Sequence, residues 1–139
     1  MDSVSPEKRS WVMSQVKGRN TGPEKAVRSL LHRMGYRFRL HRKDLPGKPD
    51  IVLPKYHAAI FVHGCYWHRH NCPDGRRLPK SRLDFWLPKL EGNRERDVKN
   101  QALLRERGWN VLVIWECMLR NANTLQEKIH TFFQDAVKR

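Results

Sequence analysis

One ten-residue segment, residues 63–72, constrains the fold of this chain more than any other part of the sequence. The segment HGCYWHRHNC holds two of the three cysteines and three of the seven histidines. Zinc in proteins takes four ligands in a tetrahedron, usually Cys sulfur and His nitrogen. Cys65, Cys72, the distant Cys117 and one histidine would complete such a set and would tie two remote parts of the chain together. The alternative is three buried, inert cysteines, because a free cysteine often serves only as a small apolar residue.

Spacing alone does not fix the histidine that completes the set. His70 gives the spacing Cys-x4-His-x-Cys, which is not that of a zinc finger, and His68 is the alternative ligand. Four protein ligands close the coordination sphere, which is typical of a structural zinc site. The remaining histidines of the segment, His63 among them, are available for other chemistry.

The charge of the chain indicates its class of partner. The 139 residues include 28 Lys and Arg against 14 Asp and Glu, which gives a formal net charge of +14. A field of this sign attracts polyanions, and nucleic acid is the leading candidate, although an inert basic surface would have the same composition. The basic residues are spread along the sequence, so we expect a binding face on a folded domain.

Cysteine use and hydropathy predict the compartment. Three cysteines are an odd number for a disulfide framework and fit a reducing compartment. The first six residues show no signal-peptide pattern, and no stretch approaches the ~20 apolar residues that a membrane span needs. We therefore expect a cytoplasmic protein with no membrane partner.

Hydrophobic periodicity predicts a single α/β domain over residues 1–139, with a mixed central sheet flanked by helices. The polar, basic residues 1–20 are predicted to form an arm or a short helix outside the core. The expected order of elements is α-β-β-β-α-α-β-α. Helices are predicted over about 21–34, 93–107 and 124–137. A further helix is predicted to begin near Ser81, and Pro88 and Gly92 limit or kink it. Strands are predicted over 36–41, 50–53, 58–62 and 111–115. Val98, Ala102 and Val137 are expected to face inward on their helices.

Asp50 is the candidate cation ligand. It begins a short apolar strand after Pro49, and the neighbouring strand carries Phe61-Val62-His63, where nucleases of the Pro-Asp…(Asp/Glu)-x-Lys type have their acidic-x-Lys. A lone Pro-Asp is more often a turn. A carboxylate is nevertheless a good Mg²⁺ ligand, and a nearby imidazole can move protons near neutral pH. Asp50 with His63 and His68 therefore makes a coherent set for phosphodiester hydrolysis.

Two further acidic residues each have a structural and a functional interpretation. Glu24 completes a capping box with Thr21, or it orients water on a metal ion. Asp97 lies in a charged helical segment, and a solvated helix charge is the favoured interpretation.

Four aromatic residues occur as two adjacent pairs. Phe85 and Trp86 are compatible with ordinary helix core. Tyr66 and Trp67 lie inside a polar loop with little apolar surface to cover them. Side chains that wedge between base pairs are usually apolar or aromatic, so this pair is a candidate DNA contact.

These residues resemble those of the very-short-patch mismatch repair endonucleases, the Vsr family. The similarity covers about residues 9–119. The matching runs are Arg9-Ser10-x-x-Met13, the Glu24 helix, Leu45 to Asp50, Ile60 to His68, Asp84-Phe85-Trp86, Asn93 to Asp97, and Gly108-Trp109 with Val113 to Cys117.

The resemblance implies a restriction-endonuclease-like fold with a structural zinc site. It implies a Mg²⁺-dependent nick of one strand, on the 5′ side of the thymine in a T:G mismatch. Such mismatches arise when 5-methylcytosine deaminates, and family members usually accompany a DNA cytosine methyltransferase. A monomer suffices for nicking one strand at an asymmetric lesion.

The roles that the resemblance implies fall into three groups. Catalysis and Mg²⁺ binding are assigned to Asp50, His63, His68, Glu24 and the main-chain carbonyl of Val62. Zinc binding is assigned to Cys65, His70, Cys72 and Cys117. DNA recognition is assigned to the aromatic wedge Tyr66, Trp67 and Trp86, to Met13 from the other groove, and to Asp97.

The sequence departs from the family pattern in several places. Val62 stands where relatives can carry Thr, which keeps the carbonyl and loses a hydroxyl. Tyr66 replaces a Phe and can still stack. The run His-Arg-His at 68–70 interrupts a longer histidine run, which supports His70 as the zinc ligand. Residues 73–80 match poorly, so the flanking-sequence preference is open, as is the choice of His63 or His68 as general base.

Two alternatives to a mismatch nicking enzyme are testable. A zinc-stabilised DNA-binding module without catalysis would need neither Asp50 nor Mg²⁺. A restriction nuclease of the same fold would cut both strands of paired DNA and would leave the wedge aromatics unexplained.

Overall fold

A four-stranded mixed sheet forms the centre of the protein. The computed structural model describes residues 22–138. The strands are β1 (Arg39–Leu40), β2 (Ile51–Leu53), β3 (Ala58–His63) and β4 (Asn110–Trp115), and they lie in the order β1-β2-β3-β4. β1 pairs with β2 and β2 with β3 antiparallel, whereas β3 and β4 are parallel. The mixed sheet and the internal position of β3 confirm the prediction.

Within residues 22–138, three helices cover the two faces of the sheet. They are α1 (Gly22–Arg33), α2 (Leu83–Glu106) and α3 (Ala122–Lys138), with short 3-10 helices at Pro54–Tyr56 and Glu116–Arg120. Side chains of α1 and α3 pack on one face around Ile60 and Ile114. Leu104 of α2 packs on the other face against Phe61. Burial on both faces explains why β3 is apolar along nearly its whole length.

The two helices predicted on either side of Gly92 are one continuous helix, α2, so that prediction was wrong. Pro88 lies inside it. A proline in a helix removes one N–H and costs about 3 kcal/mol, and a glycine costs about 1 kcal/mol. The fully buried Leu90 and Leu104 on the same helix offset these costs, because each contributes about 1.5–3 kcal/mol by its burial.

Because α2 is continuous, the positions of its residues around the helix axis determine which of them face the sheet. Leu90, Asp97 and Leu104 are seven residues apart, which is close to two helical turns, so they lie in one line toward the sheet. Val98 lies off this line and is 63% exposed, and Ala102 is also exposed, contrary to prediction.

The remaining differences lie at the ends of elements. β1 has two residues rather than six, and it stops where His41 adopts a φ of +52°. α3 begins two residues earlier than predicted, because the side-chain oxygen of Asn121 accepts a hydrogen bond from the N–H of Thr124 and caps the helix. Val137, at the far end of α3, is 70% exposed rather than buried. No helix within residues 22–138 is both long and apolar enough to cross a membrane.

Two predictions fall outside the described residues. The arm over residues 1–20 includes Met13, and the capping box needs Thr21; both precede residue 22, where the structural description begins.

Candidate functional site

The candidate site lies where β2 begins and β3 ends. The backbone N–H of Val62 donates a 2.8 Å hydrogen bond to Oδ2 of Asp50, which immediately precedes β2. His63 is the last residue of β3 and pairs in register with Trp115 at the end of β4. The antiparallel pairing of β2 with β3 thus brings Asp50 beside the strand that leads into residues 63–72. The predicted neighbours Asp50, Val62 and His63 lie together.

Burial controls the charge of Asp50. Removal of the carboxyl from water and the neighbouring Glu24 carboxylate together raise its pKa to about 7, against the opposing effect of the Val62 N–H. Two carboxylates in one buried place repel each other when both are ionised. A cation bound between them would relieve this repulsion, so the pair has the chemistry of a hard-metal site.

Glu24 belongs to the site and is not only a helix-capping residue. It is 1% exposed. Its Oε2 atom lies 3.1 Å from Nη2 of Arg28 and 2.9 Å from Nε2 of His41. Glu24, His41 and Asp50 each offer one ligand atom, and these atoms all lie within 4.8 Å of one another.

His41 was not singled out from the sequence. The signal that could have found it is the turn over residues 45–49: Leu40 pairs with Ile51, so the next residues toward the turn, His41 and Asp50, are brought side by side. The N–H of His41 donates to the carbonyl oxygen of Asp50 at 3.1 Å.

A histidine pair and Asp97 form a second cluster. The rings of His63 and His68 are stacked with centroids 3.9 Å apart and planes 4° apart. Oδ2 of Asp97 lies 2.5 Å from Nδ1 of His68 and 3.9 Å from Nδ1 of His63. Asp97 is therefore not a solvated helix charge, as the favoured interpretation had it. The line of Leu90, Asp97 and Leu104 on α2 explains its position.

The two imidazoles have different environments. Burial and the neighbouring His68 together lower the pKa of His63 to about 4, against the opposing effect of Asp97, so His63 is neutral near pH 7. Its Nδ1 atom is buried and has no hydrogen-bond partner among the described residues. His68 donates its Nδ1–H to the Asp97 carboxylate, which leaves Nε2 of His68 with a free lone pair.

The predicted cysteine and histidine set comes together beside this cluster. Cys65, His70, Cys72 and Cys117 each present one ligand atom within 4.8 Å of the others, so the group could hold a metal ion. Sγ of Cys117 lies 3.5 Å from Nδ1 of His70. The histidine of the group is His70, whereas His68 is engaged by Asp97. The cysteines are free thiols rather than disulfides.

Trp115 separates the two clusters and was predicted only as a strand residue. The His70 ring stacks on its indole at 4.2 Å with an interplanar angle of 16°. The His63 ring meets the same indole edge-on at 5.2 Å. One side chain thus contacts a residue of the cysteine cluster and a residue of the histidine pair.

Four aromatic side chains form a continuous patch next to the site. Ring centroids are 5.4 Å apart for Tyr66 and Trp67, 6.5 Å for Trp67 and Trp86, and 5.0 Å for Phe85 and Trp86. We call these four residues the aromatic surface. Phe85 is 45% exposed, which excludes the interpretation of this residue as helix core.

Basic side chains lie over the aromatic surface. The guanidinium groups of Arg77 and Arg82 lie 5.2 Å and 4.7 Å from the rings of Tyr66 and Phe85. The Nζ atom of Lys89 lies within 5.6 Å of the Phe85 and Trp86 ring centroids. Partly exposed aromatics with interleaved cations can stack on bases and attract phosphates, which is the chemistry of a nucleic-acid surface.

Comparisons with known proteins agree with this chemistry. The family model described as DNA mismatch endonuclease Vsr matches residues 1–74. The type II nicking enzyme V.XorIIP of Xanthomonas oryzae pv. oryzae is 57% identical over 128 residues, which are 92% of this chain and 93% of that protein. The DNA mismatch endonuclease Vsr of Escherichia coli is 42% identical over 123 residues, which are 88% of this chain and 78% of that protein.

The fold is also shared with a solved nuclease structure. The catalytic domain of the homing endonuclease I-Bth0305I superposes with a TM-score of 0.59 over 85% of this chain and 99% of that chain, at 20% identity. This likeness confirms the nuclease-type α/β fold. Together with the matches in sequence, it leads to one conclusion: the chain belongs to the DNA mismatch endonuclease Vsr family and is a DNA endonuclease.

Proposed function

We propose that the enzyme nicks one strand of double-stranded DNA on the 5′ side of the thymine in a T:G mismatch, with Mg²⁺ as its catalytic cofactor. One observation carries the proposal. The buried carboxylate of Glu24 and the partly buried carboxylate of Asp50 lie near the stacked pair His63 and His68, at the strand end that leads to Tyr66 and Trp67 of the aromatic surface.

The acidic residues have the chemistry that Mg²⁺ requires. Mg²⁺ prefers oxygen ligands and keeps several waters, so one or two carboxylates and the substrate phosphate suffice to hold it. Asp50 would bind it together with the main-chain carbonyl of Val62, and Glu24 would orient its waters. When bound, Mg²⁺ supplies positive charge to the phosphoryl oxygens of the scissile phosphate.

The histidines are proposed to move the protons of hydrolysis. The attacking water must lose a proton, and the departing oxygen of the cleaved strand must gain one. Asp97 holds the Nδ1–H of His68 and would stabilise the imidazolium that forms when Nε2 takes a proton. This arrangement favours His68 as the group that accepts the proton from water. His63 is neutral, buried and stacked on His68, and we propose that it assists the transfer of a proton to the leaving oxygen.

Zinc is the proposed metal of the cysteine cluster. Three thiolates and one imidazole form a closed Cys3His set, which is a common structural zinc site. Cys65 is 1% exposed, and burial raises the pKa of its thiol to about 12, so a bound cation is needed to hold this sulfur as thiolate.

The aromatic surface is proposed to provide mismatch selectivity. Mismatched pairs cost less to unstack than paired bases, so side chains that wedge into the stack favour the mismatch. Tyr66, Trp67 and Trp86 would enter from one groove and Met13 of the N-terminal arm from the other.

The biological setting follows from this activity. T:G mismatches formed by deamination of 5-methylcytosine would make a DNA cytosine methyltransferase the functional companion of the enzyme. The lesion is asymmetric and one strand is cut, so we propose a monomer that acts on DNA in the cytoplasm.

A strand-resolved cleavage assay tests the proposal. The substrates are end-labelled duplexes with one T:G mismatch in several sequence contexts and their paired controls, each with Mg²⁺ or without divalent ion. We expect a single Mg²⁺-dependent nick 5′ of the mismatched thymine, and loss of cutting with retained binding in Asp50→Ala. Cutting of both strands in the paired control would instead identify a restriction nuclease.

A further inference from the structure

His41 is a polar side chain at the catalytic carboxylates for which the proposed function gives no role. Its Nε2 atom lies 2.9 Å from Oε2 of Glu24, and 18% of the side chain is exposed. With Glu24 and Asp50 it forms a group whose ligand atoms all lie within 4.8 Å of one another. The imidazole is thus within coordination range of an ion held by the two acidic residues.

The main chain of His41 is fixed to the same site. Its N–H donates to the Asp50 carbonyl at 3.1 Å, and its φ is +52°. This left-handed conformation costs a residue other than glycine about 1–2 kcal/mol. Strained residues of this kind persist where the surrounding structure holds them, and they concentrate at functional sites.

Glu24 does not need His41 to hold it in place. Nη2 of Arg28 lies 3.1 Å from the same Oε2 atom and provides a permanent positive charge one helical turn away. The ring of His41 is therefore an additional partner rather than the sole support of this carboxylate.

We propose that His41 is a nitrogen ligand of the catalytic cation, which makes the site a mixed carboxylate and imidazole site that binds Mn²⁺ more tightly than Mg²⁺. The inference rests on the proposed function, since it takes the cation to bind at Asp50. Imidazole is a good ligand for first-row transition ions, whereas Mg²⁺ favours carboxylate, carbonyl and water oxygens. Loss of His41 should therefore weaken Mn²⁺ binding more than Mg²⁺ binding.

The test is a Mn²⁺ titration of the full-length, zinc-loaded protein, followed by the electron paramagnetic resonance signal of free Mn²⁺. The affinity for Mg²⁺ is measured by competition. In His41→Gln, whose amide can still donate to Glu24, we expect Mn²⁺ affinity to fall by about tenfold or more. We expect the Mg²⁺ affinity of the same variant to fall much less. His32→Gln, at an exposed histidine near the end of α1, is the matched control and should bind both ions as the unaltered protein does.

Electron spin-echo modulation of bound Mn²⁺ shows directly whether nitrogen is coordinated. We expect nitrogen modulation in the unaltered protein and its loss in His41→Gln, or in His41→Asn if the first variant does not fold. Absence of nitrogen modulation from the unaltered protein, or its persistence with unchanged Mn²⁺ affinity in the variant, would overturn the inference. The proposed function fails separately, if no Mg²⁺-dependent nick at a T:G mismatch is found.

Discussion

Asp97→Asn removes one negative charge from the histidine pair and changes the side-chain volume very little. The Asp97 carboxylate accepts a hydrogen bond from the Nδ1–H of His68, and a hydrogen bond to an ionised carboxylate is charge-assisted. Such a bond contributes about 1.5–3 kcal/mol when one partner is charged. If His68 becomes positive during the reaction, that contribution belongs to the transition state. Because about 1.4 kcal/mol corresponds to tenfold in rate, nicking should slow by about 10- to 150-fold.

The assay is single-turnover nicking of a T:G duplex at saturating enzyme, since this rate excludes DNA association and product release. DNA affinity, measured by fluorescence anisotropy without divalent ion, should change little, because Asp97 contacts the histidines rather than the aromatic surface. A large loss of affinity would instead favour the DNA-recognition role that the resemblance implies for Asp97. Glu95→Gln is the matched control, since Glu95 is an exposed carboxylate two residues away on α2. Equal single-turnover rates for the two variants would refute a role for Asp97 in the chemistry of His68.

The remaining predictions concern the metal cluster, the aromatic surface and the buried carboxylate. Cys117→Ser should lower both zinc content and Tm, because metal-binding energy is folding energy; an unchanged Tm with full zinc content would exclude Cys117 from the ligand set. Trp67→Ala should weaken binding to a T:G duplex by about 5- to 150-fold, the equivalent of one base stack, and should weaken binding to paired DNA less. Equal losses on the two duplexes would count against the wedge. Asp50→Asn should raise the Tm of the protein at pH 8 without Mg²⁺ and leave it nearly unchanged at pH 4. The reason is that the folded pKa of Asp50 is raised to about 7, so its ionisation destabilises the fold as pH rises from about 4 to 7. A lower Tm for this variant at pH 8 would contradict that sign.

The sequence was sufficient to predict which site residues come together when those residues are close in the chain. Residues 63–72 follow directly from β3, so their aromatic, histidine and cysteine side chains had to emerge at one edge of the sheet. Cys117 was identified because it was the remaining cysteine and followed the next buried strand. Local periodicity and cysteine chemistry carry this information without any knowledge of packing.

The residues that sequence reasoning misplaced depend on tertiary structure. Asp97 was predicted to be a solvated charge because its neighbours in the sequence are charged. The two-turn relation that aligns it with Leu90 and Leu104 crosses the break predicted at Gly92, so it was not visible. The destabilisation of the helix by Pro88 can be predicted from the local sequence. The burial of Leu90 and Leu104, which offsets it, depends on packing against the sheet and cannot be predicted from a short stretch of sequence. His41 was missed because its place follows from the register of a hairpin, and β1 is too short to show a clear alternation.

The position of Trp115 has a consequence for how oxidation of the cysteines would inactivate the enzyme. The same indole supports His70 on one side and meets His63 on the other. Oxidation of the cysteine thiols would release His70 from the metal cluster, and Trp115 would then lose one of its two supports beside the proposed proton-transfer site while the sheet is still folded. We expect mild oxidants to abolish nicking while most of the helix and strand content survives in circular dichroism. A repair enzyme with this construction would lose its activity under oxidative stress, when damaged DNA also accumulates.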